Sequence, residues 1–200
     1  MTRDDFQSIA IVPAAGHSRR MGQAKLVLPF QGSTIIEQVI GAWEKSDVDH
    51  VVAVVRQNDT ELAERCRSAG AAVVLPEIDP AEMRYSVEAG LEFAVGRYRP
   101  RSVDAWFLAP ADVPRISIAL INQLLVAYRR AGPAIFLPSY DGHRGHPVVF
   151  PWKLAAEVPQ LGPDEGLNSL VKRHQVSEIH WSAPLEWEDV DTPDQYRRLE

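Results

Sequence analysis

The sequence predicts an α/β protein with a Rossmann-like, doubly wound, three-layer α/β/α arrangement around a mainly parallel, mixed sheet. Short apolar runs rich in β-branched residues alternate along the chain with segments of helical period. This alternation is typical of parallel strands joined by helices that cover both faces of a sheet. The chain has 200 residues, 46% hydrophobic and 24% charged, so we expect one globular domain over residues 1–200.

Six apolar runs bounded by turn residues are predicted to be buried strands. They cover residues 9–12, 51–55, 72–75, 105–108, 134–137 and 148–150. After residue 142 the pattern becomes irregular, and short strands and helices are expected there. The sequence contains no internal repeat and no linker long enough to separate two domains.

Helix starts between the first strands are marked by capping boxes. Thr34 and Glu37 form such a box ahead of an apolar stripe at helical spacing. Asn58 and Glu61 are predicted to do the same for the next helix, which Gly70 ends. Each of these helices would cross between two parallel strands.

Two further helices are predicted closer to the end of the chain. Apolar residues spaced i, i+3, i+4 and i+7 predict an amphipathic helix over residues 117–130, closed by Gly132. The last helix is placed over residues 193–199, because Thr192 can cap it and Gln195 completes the box.

Composition excludes several classes of protein. The formal net charge of −6 disfavours a broad cationic face for nucleic acid, and the apolar runs are too short for a membrane span. Residues 1–6 carry two Asp and lack the pattern of a signal peptide, so a cytoplasmic location is expected. Cys66 is the only cysteine, which excludes an internal disulfide and a cysteine-cluster metal site.

The stretch PAAGHSRRMGQAK, residues 13–25, follows the first predicted strand. In open α/β sheets the ligand lies beyond the carboxyl ends of the strands. Small residues at 14–16 leave the backbone uncovered, so several N–H groups can face one anion, while Arg20 and Lys25 supply full charges. The loop lacks G-x-G-x-x-G and G-K-[ST], so it is neither a dinucleotide fingerprint nor a Walker loop. It is predicted to hold phosphate.

Two aspartates are the candidate metal ligands. Asp112 follows the strand at 105–108, at the same sheet edge as the loop, and Asp191 precedes the last helix. Mg²⁺ is bound through one or two carboxylates together with phosphate oxygens and water. The alternative for each aspartate is a helix cap or a turn residue. If both acids converge on the loop, the site fits a nucleoside triphosphate with Mg²⁺.

The opening stretch resembles the signature L-A-[AG]-G-x-S-x-R-M-G-x-x-K of the MobA/MocA-like nucleotidylyltransferases of molybdenum cofactor synthesis. The matching positions are Ala14, Ala15, Gly16, Ser18, Arg20, Met21, Gly22 and Lys25. Pro13 looks more like the related cytidylyltransferase of isoprenoid synthesis, whose other characteristic stretches are missing from this sequence.

Later segments resemble the same family in the same order, so the likeness covers nearly the whole chain. These segments are MRYSVEAGL, PADVP, GHRGHPVVF, PDEGLNSLV and DVDTPDQY. Three places depart from the family pattern: Glu82 stands where Gly is common, Val113 replaces a frequent Gln, and an Ala-Arg pair is missing after Gly166.

The resemblance implies a nucleotide-diphospho-sugar transferase-like fold and a Mg²⁺-dependent transfer of a nucleoside monophosphate. The donor would be CTP or GTP, the acceptor the phosphate of a molybdopterin-type cofactor, and pyrophosphate would leave. Ala14 and Ala15 lean toward CTP. The alternatives are a sugar or polyol phosphate as acceptor, or a non-catalytic nucleotide-binding chaperone for maturation of a molybdoenzyme client.

The resemblance also assigns roles to residues. Catalysis falls to Arg20, Lys25 and Asp112; nucleotide binding to Ala14, Ala15, Gly16, Ser18, Arg20, Lys25 and Ser86; the metal to Asp112 and Asp191; and the acceptor to Arg144 and His146. For Ser86 the alternative is a serine that only caps a helix start. His143 and His146 would make an incomplete zinc site, since no cysteine lies near them in the sequence.

Overall fold

The computed structural model describes residues 6–182 and 189–199. The strands are β1 (Ser8–Pro13), β2 (Pro29–Phe30), β3 (Ser33–Thr34), β4 (His50–Val54), β5 (Ala72–Val74), β6 (Ala105–Leu108), β7 (Ile135–Tyr140), β8 (His143–Arg144), β9 (Val148–Pro151) and β10 (Val176–His180). The helices are α1 (Ile35–Glu44), α2 (Thr60–Ser68), α3 (Met83–Tyr98), α4 (Ile118–Ala131), α5 (Asn168–Arg173) and α6 (Pro193–Leu199). Lys25–Val27 and Trp152–Gln160 form 3-10 helices.

The main sheet is mixed and mainly parallel, as predicted. Its strand order is β10-β7-β9-β6-β1-β4-β5, and the short β8 pairs with β7. β9 runs antiparallel to both of its neighbours, whereas β1 is parallel to β4 and β6. All six predicted strands are present, each end within three residues of its prediction. The edge strand β10 was not predicted, because it is polar at Ser177, Glu178 and His180.

Helices cover both faces of the sheet. Ala10 and Val12 of β1 pack in a core with α1, α2 and α4, while Ile9 and Ile11 pack on the opposite face with α3, α5 and the 3-10 helix at 152–160. A strand that is buried on both faces needs apolar side chains at every position. This explains why β1 appears in the sequence as an uninterrupted apolar run.

Close packing of α3 on the sheet depends on a glycine. A Cβ atom at Gly90 would lie 2.8 Å from Cγ2 of Ile11 and 3.1 Å from Cγ2 of Val54. Any side chain larger than hydrogen would therefore push α3 away from β1 and β4. The first turn of α3 lies beside the end of β1, so the placement of α3 matters for any site at that edge of the sheet.

The helix caps agree with the sequence except at α2. The Thr34 capping box is formed, with the backbone N–H of Thr34 donating to Glu37 at 2.8 Å. For α2 the prediction of Asn58 was wrong: Asp59 is the cap, and its carboxylate accepts from the N–H of Leu62 at 3.4 Å. Arg56 donates to the other oxygen of Asp59 at 2.7 Å, which holds that carboxylate in place.

The predicted bounds of α4 and α6 are confirmed to within one residue. Ser117 caps the start of α4, and Gly132, a residue with φ of +87°, caps its end. At α6 the N–H of Gln195 donates to Thr192 Oγ1 at 3.3 Å. The side chain of Gln195 accepts from the N–H of Asp191 at 3.0 Å. These bonds fix the backbone around Asp191.

Among the helices in residues 6–182 and 189–199, none combines the length and apolar character needed to cross a membrane. Cys66 of α2 packs in the protein core and has no exposed surface. This burial raises the pKa of its thiol to about 12. A thiol in that state is a packing group rather than a nucleophile.

Candidate active site

A cleft of about 410 Å³ opens at the carboxyl ends of β1 and β6. β1 lies between β6 and β4, so the chain leaves this part of the sheet in opposite directions on its two sides. Such a switch point is where open α/β sheets bind their ligands. The residues that line it include Ala15, Gly16, Ser18, Arg20, Lys25, Glu82, Met83, Ser86, Asp112 and Asp191.

The loop after β1 presents fewer free N–H groups than predicted. The N–H of Ala14 donates to the carbonyl of Val54 at 2.8 Å, because the backbone there continues the pairing of β1 with β4. Ala14 is buried and is not among the residues that line the cleft, so its predicted place in a phosphate cradle was wrong. Ala15 and Gly16 do line the cleft.

Ser18 folds the loop back toward the sheet. It adopts a left-handed conformation with φ of +49°, and its carbonyl accepts from the N–H groups of Met21 at 3.0 Å and Gly22 at 3.1 Å. Its hydroxyl accepts from the backbone N–H of Lys25 at 3.4 Å. Ser18 therefore organises the turn that brings Lys25 to the cleft.

The predicted catalytic and metal-binding residues meet in one cluster. Lys25 Nζ lies 2.5 Å from Asp112 Oδ2 and 2.9 Å from Asp191 Oδ1. Arg20 forms a third ion pair, 2.7 Å from Asp191 Oδ2. The side chains of Lys25, Asp112 and Asp191 are only 12%, 24% and 14% exposed, whereas that of Arg20 is 74% exposed. The cluster therefore has a shielded centre and an exposed cation at its rim.

Within the cluster, ion pairing outweighs the cost of burial. Burial lowers the pKa of Lys25, but Asp112 and Asp191 more than compensate, so the net pKa of Lys25 is raised. Burial likewise raises the pKa of Asp191, but Lys25 and Arg20 bring the net value below the ordinary one. Lys25 and Asp191 are both charged at neutral pH.

A third carboxyl group, Asp189, was missed by the sequence analysis. Burial raises the pKa of Asp189, and a hydrogen bond and the charge of Asp191 raise it further. Val190, between the two acids, is buried, and its N–H donates to the carbonyl of Asp112 at 2.9 Å. The spacing D-x-D around an apolar residue was the available signal, because alternate residues of an extended segment share a side.

The donor set fits a hard divalent cation. Asp112 and Asp191 offer carboxylate oxygens, the ligands that Mg²⁺ and Mn²⁺ prefer, and the Lys25 ammonium already lies between them as a cation. In the part of the chain that the structure describes, no group of three or more His, Cys, Asp or Glu is placed to hold a metal. A metal here would need further oxygens from phosphate or water.

Ser86 faces the cleft from α3. It is the fourth residue of the helix, and Glu82 occupies the cap position, so the alternative role of a helix-start cap was wrong. It is buried and is one of the residues that line the cleft. A ligand in the cleft can therefore use this hydroxyl.

The two predicted acceptor residues lie in different environments. Arg144 on β8 pairs with Glu178 on β10, at 2.8 Å, and is not among the residues that line the cleft. The pKa of His146 is lowered by burial, and the negative charge of Asp112 partly offsets this lowering. Neither Arg144 nor His146 is among the residues that line the cleft, so their role toward the acceptor stays a prediction.

A switch-point cleft with two cations, paired aspartates and a small-residue loop defines a nucleotidyltransferase of the α/β type. The chain belongs to one family of that class: residues 10–179 match the MobA-like NTP transferase domain. The loop of the site follows β1 and Asp112 follows β6, and both strands were predicted from the sequence.

Relatives with full-length similarity support the family. The purine catabolism protein PucB of Bacillus subtilis (strain 168) is 28% identical over 201 residues, covering 94% of this chain and 93% of PucB. The molybdenum cofactor cytidylyltransferase of Escherichia coli (strain K12) is 24% identical over 189 residues, covering 93% of this chain and 92% of that protein.

A solved structure resembles the fold over almost its whole length. The crystal structure of Rv0371c from Mycobacterium tuberculosis H37Rv in complex with manganese superposes with a TM-score of 0.74 at 27% identity. The alignment covers 96% of this chain and 97% of that one.

Proposed function

We propose that this protein transfers a nucleoside monophosphate from CTP or GTP to the phosphate of a molybdopterin-type cofactor, with Mg²⁺ and with release of pyrophosphate. The observation that carries the proposal is the meeting of Arg20, Lys25, Asp112 and Asp191 at one end of the cleft. Two cations and two acids around one cavity suit a triphosphate and its metal. The relatives of this chain include a molybdenum cofactor cytidylyltransferase, which favours this acceptor.

The reaction needs positioning and charge neutralisation more than covalent chemistry. An oxygen of the acceptor phosphate attacks the α-phosphorus, and the bond between that phosphorus and the α,β-bridging oxygen breaks. The electron pair leaves with pyrophosphate. No general base is required, because the acceptor phosphate is already ionised near neutral pH.

Each cation of the cluster has a distinct task in this reaction. Lys25, shielded within the cleft, would neutralise the α-phosphate as negative charge builds up on it. Arg20, exposed at the rim, would follow the β- and γ-phosphates and stabilise the leaving pyrophosphate. Both act through charge that the protein holds ready before the substrate arrives.

The acids would hold the metal, and the remaining walls would bind the rest of the two substrates. Bound to Asp112 and Asp191, Mg²⁺ would supply electrostatic stabilisation of the phosphates. The N–H groups of Ala15 and Gly16 would face the phosphates, and the hydroxyl of Ser86 would contact the base or ribose. His146, near Asp112, would meet the acceptor phosphate.

The decisive assay follows pyrophosphate release from the purified protein with CTP or GTP, Mg²⁺ and molybdopterin. We expect turnover with one of the two nucleotides and none when the metal is chelated. Turnover with a sugar or polyol phosphate instead of molybdopterin would identify the alternative acceptor. Nucleotide binding without turnover on any of these acceptors would point to the chaperone, and no nucleotide binding would contradict the proposal altogether.

A further inference from the structure

The ammonium group of Lys25 occupies the space between the two acids that are expected to hold the metal. Nζ lies 2.5 Å from an oxygen of Asp112 and 2.9 Å from an oxygen of Asp191, so both carboxylates already have a cation as partner. A divalent metal ligated by these carboxylates must approach oxygens to about 2.0–2.1 Å for Mg²⁺. The ammonium and the metal therefore compete for the same two carboxylates.

The charges in the cluster also leave little attraction for a metal. Arg20 and Lys25 carry one positive charge each, and Asp112 and Asp191 carry one negative charge each, so the four contacting groups sum to zero. A dication entering among these four groups is repelled by two cations as well as attracted by two acids. Asp189, hydrogen-bonded to Asp191, is the remaining acidic group beside them.

We propose that Lys25 keeps the metal site closed until a nucleoside triphosphate binds, so that the metal binds tightly only together with the nucleotide. This inference rests on the proposed function of the cleft. The triphosphate brings several negative charges that draw Lys25 and Arg20 away from the acids. The freed carboxylates and the phosphate oxygens then complete a ligand set that neither can provide alone.

The local backbone allows this exchange without rearrangement of the fold. The N–H of Lys25 is held by Ser18 Oγ at 3.4 Å, and Lys25 opens the 3-10 helix Lys25–Val27. Only the flexible four-carbon side chain has to turn from the acids toward the phosphates. Ala15 and Gly16 line the same cleft, so the ammonium stays within it.

Binding of Mn²⁺, measured from the loss of the free-ion electron paramagnetic resonance signal, tests this directly. The proteins are the wild type, Lys25→Met and, as a matched control, Lys45→Met, which changes an exposed lysine outside the cleft. Without nucleotide, Lys25→Met should bind Mn²⁺ at least about tenfold more tightly than the wild type. Lys45→Met should match the wild type.

The wild type alone provides a second measurement that does not depend on any variant folding. α,β-Methylene-CTP or the corresponding GTP analogue, whichever binds, should raise the Mn²⁺ affinity of the wild type at least about tenfold. By reciprocity, Mn²⁺ should raise the affinity for the analogue by the same factor. In Lys25→Met the gain should be much smaller.

Equal Mn²⁺ affinity of the wild type with and without the analogue would overturn the inference. Equal affinity of the wild type and a folded Lys25→Met in the absence of nucleotide would overturn it as well. In both cases analogue binding would leave the proposed function standing. If the wild type binds neither analogue, the proposed function itself fails.

Discussion

Lys25 and Asp112 form an ion pair of 2.5 Å although 87 positions separate them in the chain. One residue follows β1 and the other follows β6, and these strands are parallel neighbours in the sheet. The pairing of two buried strands therefore decides the geometry of the charged cluster.

Removal of the Asp112 carboxylate should damage catalysis far more than folding. We expect Asp112→Asn to lower kcat by about 10²–10³-fold, because one charge-stabilising group of the site is lost. Steady-state pyrophosphate release checks this. Asp141→Asn is the control, since Asp141 lies in an exposed turn with φ of +47°, a conformation that Asn tolerates. A loss of activity no larger than about twofold in Asp112→Asn, much smaller than expected, would show that Asp112 is not a catalytic residue.

The two neighbouring arginines of the loop should behave differently. Both arginines are exposed and line the cleft, but Arg20 pairs with Asp191, whereas Arg19 has no ion pair with residues 6–182 or 189–199. Arg20→Ala should lower kcat/KM by about 10- to 100-fold, the cost of losing a hydrogen bond to a charged group. Arg19→Ala should remain close to the wild type. An equal loss in both variants would indicate a general effect of loop charge instead.

Packing of α3 on the sheet should tolerate no side chain at Gly90. Gly90→Ala should destabilise the protein by about 1–3 kcal/mol, because its Cβ would collide with Ile11 and Val54. Gly96, in the same helix, has nothing within 4 Å of its Cβ position, so Gly96→Ala should stabilise by about 0.4–1 kcal/mol. Urea unfolding of both variants gives the comparison. Similar stabilities of the two variants would contradict the packing of α3.

Acid should weaken the contribution of Asp191 to stability. Its pKa in the folded protein lies below the ordinary value of 3.8, so the folded state favours the ionised form. That contribution is fully present above pH 3.8 and is lost as the pH falls through the folded pKa. The difference in unfolding free energy between wild type and Asp191→Asn should therefore be constant from about pH 5 to 8 and shrink below about pH 4. A difference that grows toward acid would refute the ion pairs.

Much of the fold could be predicted from the sequence because buried strands leave a strong signal. β1 is apolar at nearly every position since both of its faces are covered, and the capping box at Thr34 marks a helix start. β10 escaped prediction because an edge strand carries polar residues such as Glu178. Asn58 and Asp59 are equally good caps on composition, and in the structure it is Asp59 whose carboxylate accepts from the N–H of Leu62.

For the site, the sequence predicted that the loop, Asp112 and Asp191 lie together, but it did not predict the backbone geometry that brings them together. The meeting of Asp112 with the loop follows from parallel strands that end at one edge of the sheet. The left-handed turn at Ser18 and the loss of the Ala14 N–H to Val54 depend on backbone geometry, which residue types do not reveal. Asp189 could be found in the sequence only as a neighbour of Asp191, and its hydrogen bond with Asp191 is visible only in the structure.

The most direct measurement is a crystal structure of the protein with Mn²⁺ and α,β-methylene-CTP or the GTP analogue, read from the anomalous difference density of the metal. The account predicts a metal peak bound by Asp112 and Asp191, with the triphosphate against residues 15–25 and Lys25 turned from the acids to the phosphates. A nucleotide or metal bound elsewhere, with the ion pairs of Lys25 intact, would contradict it.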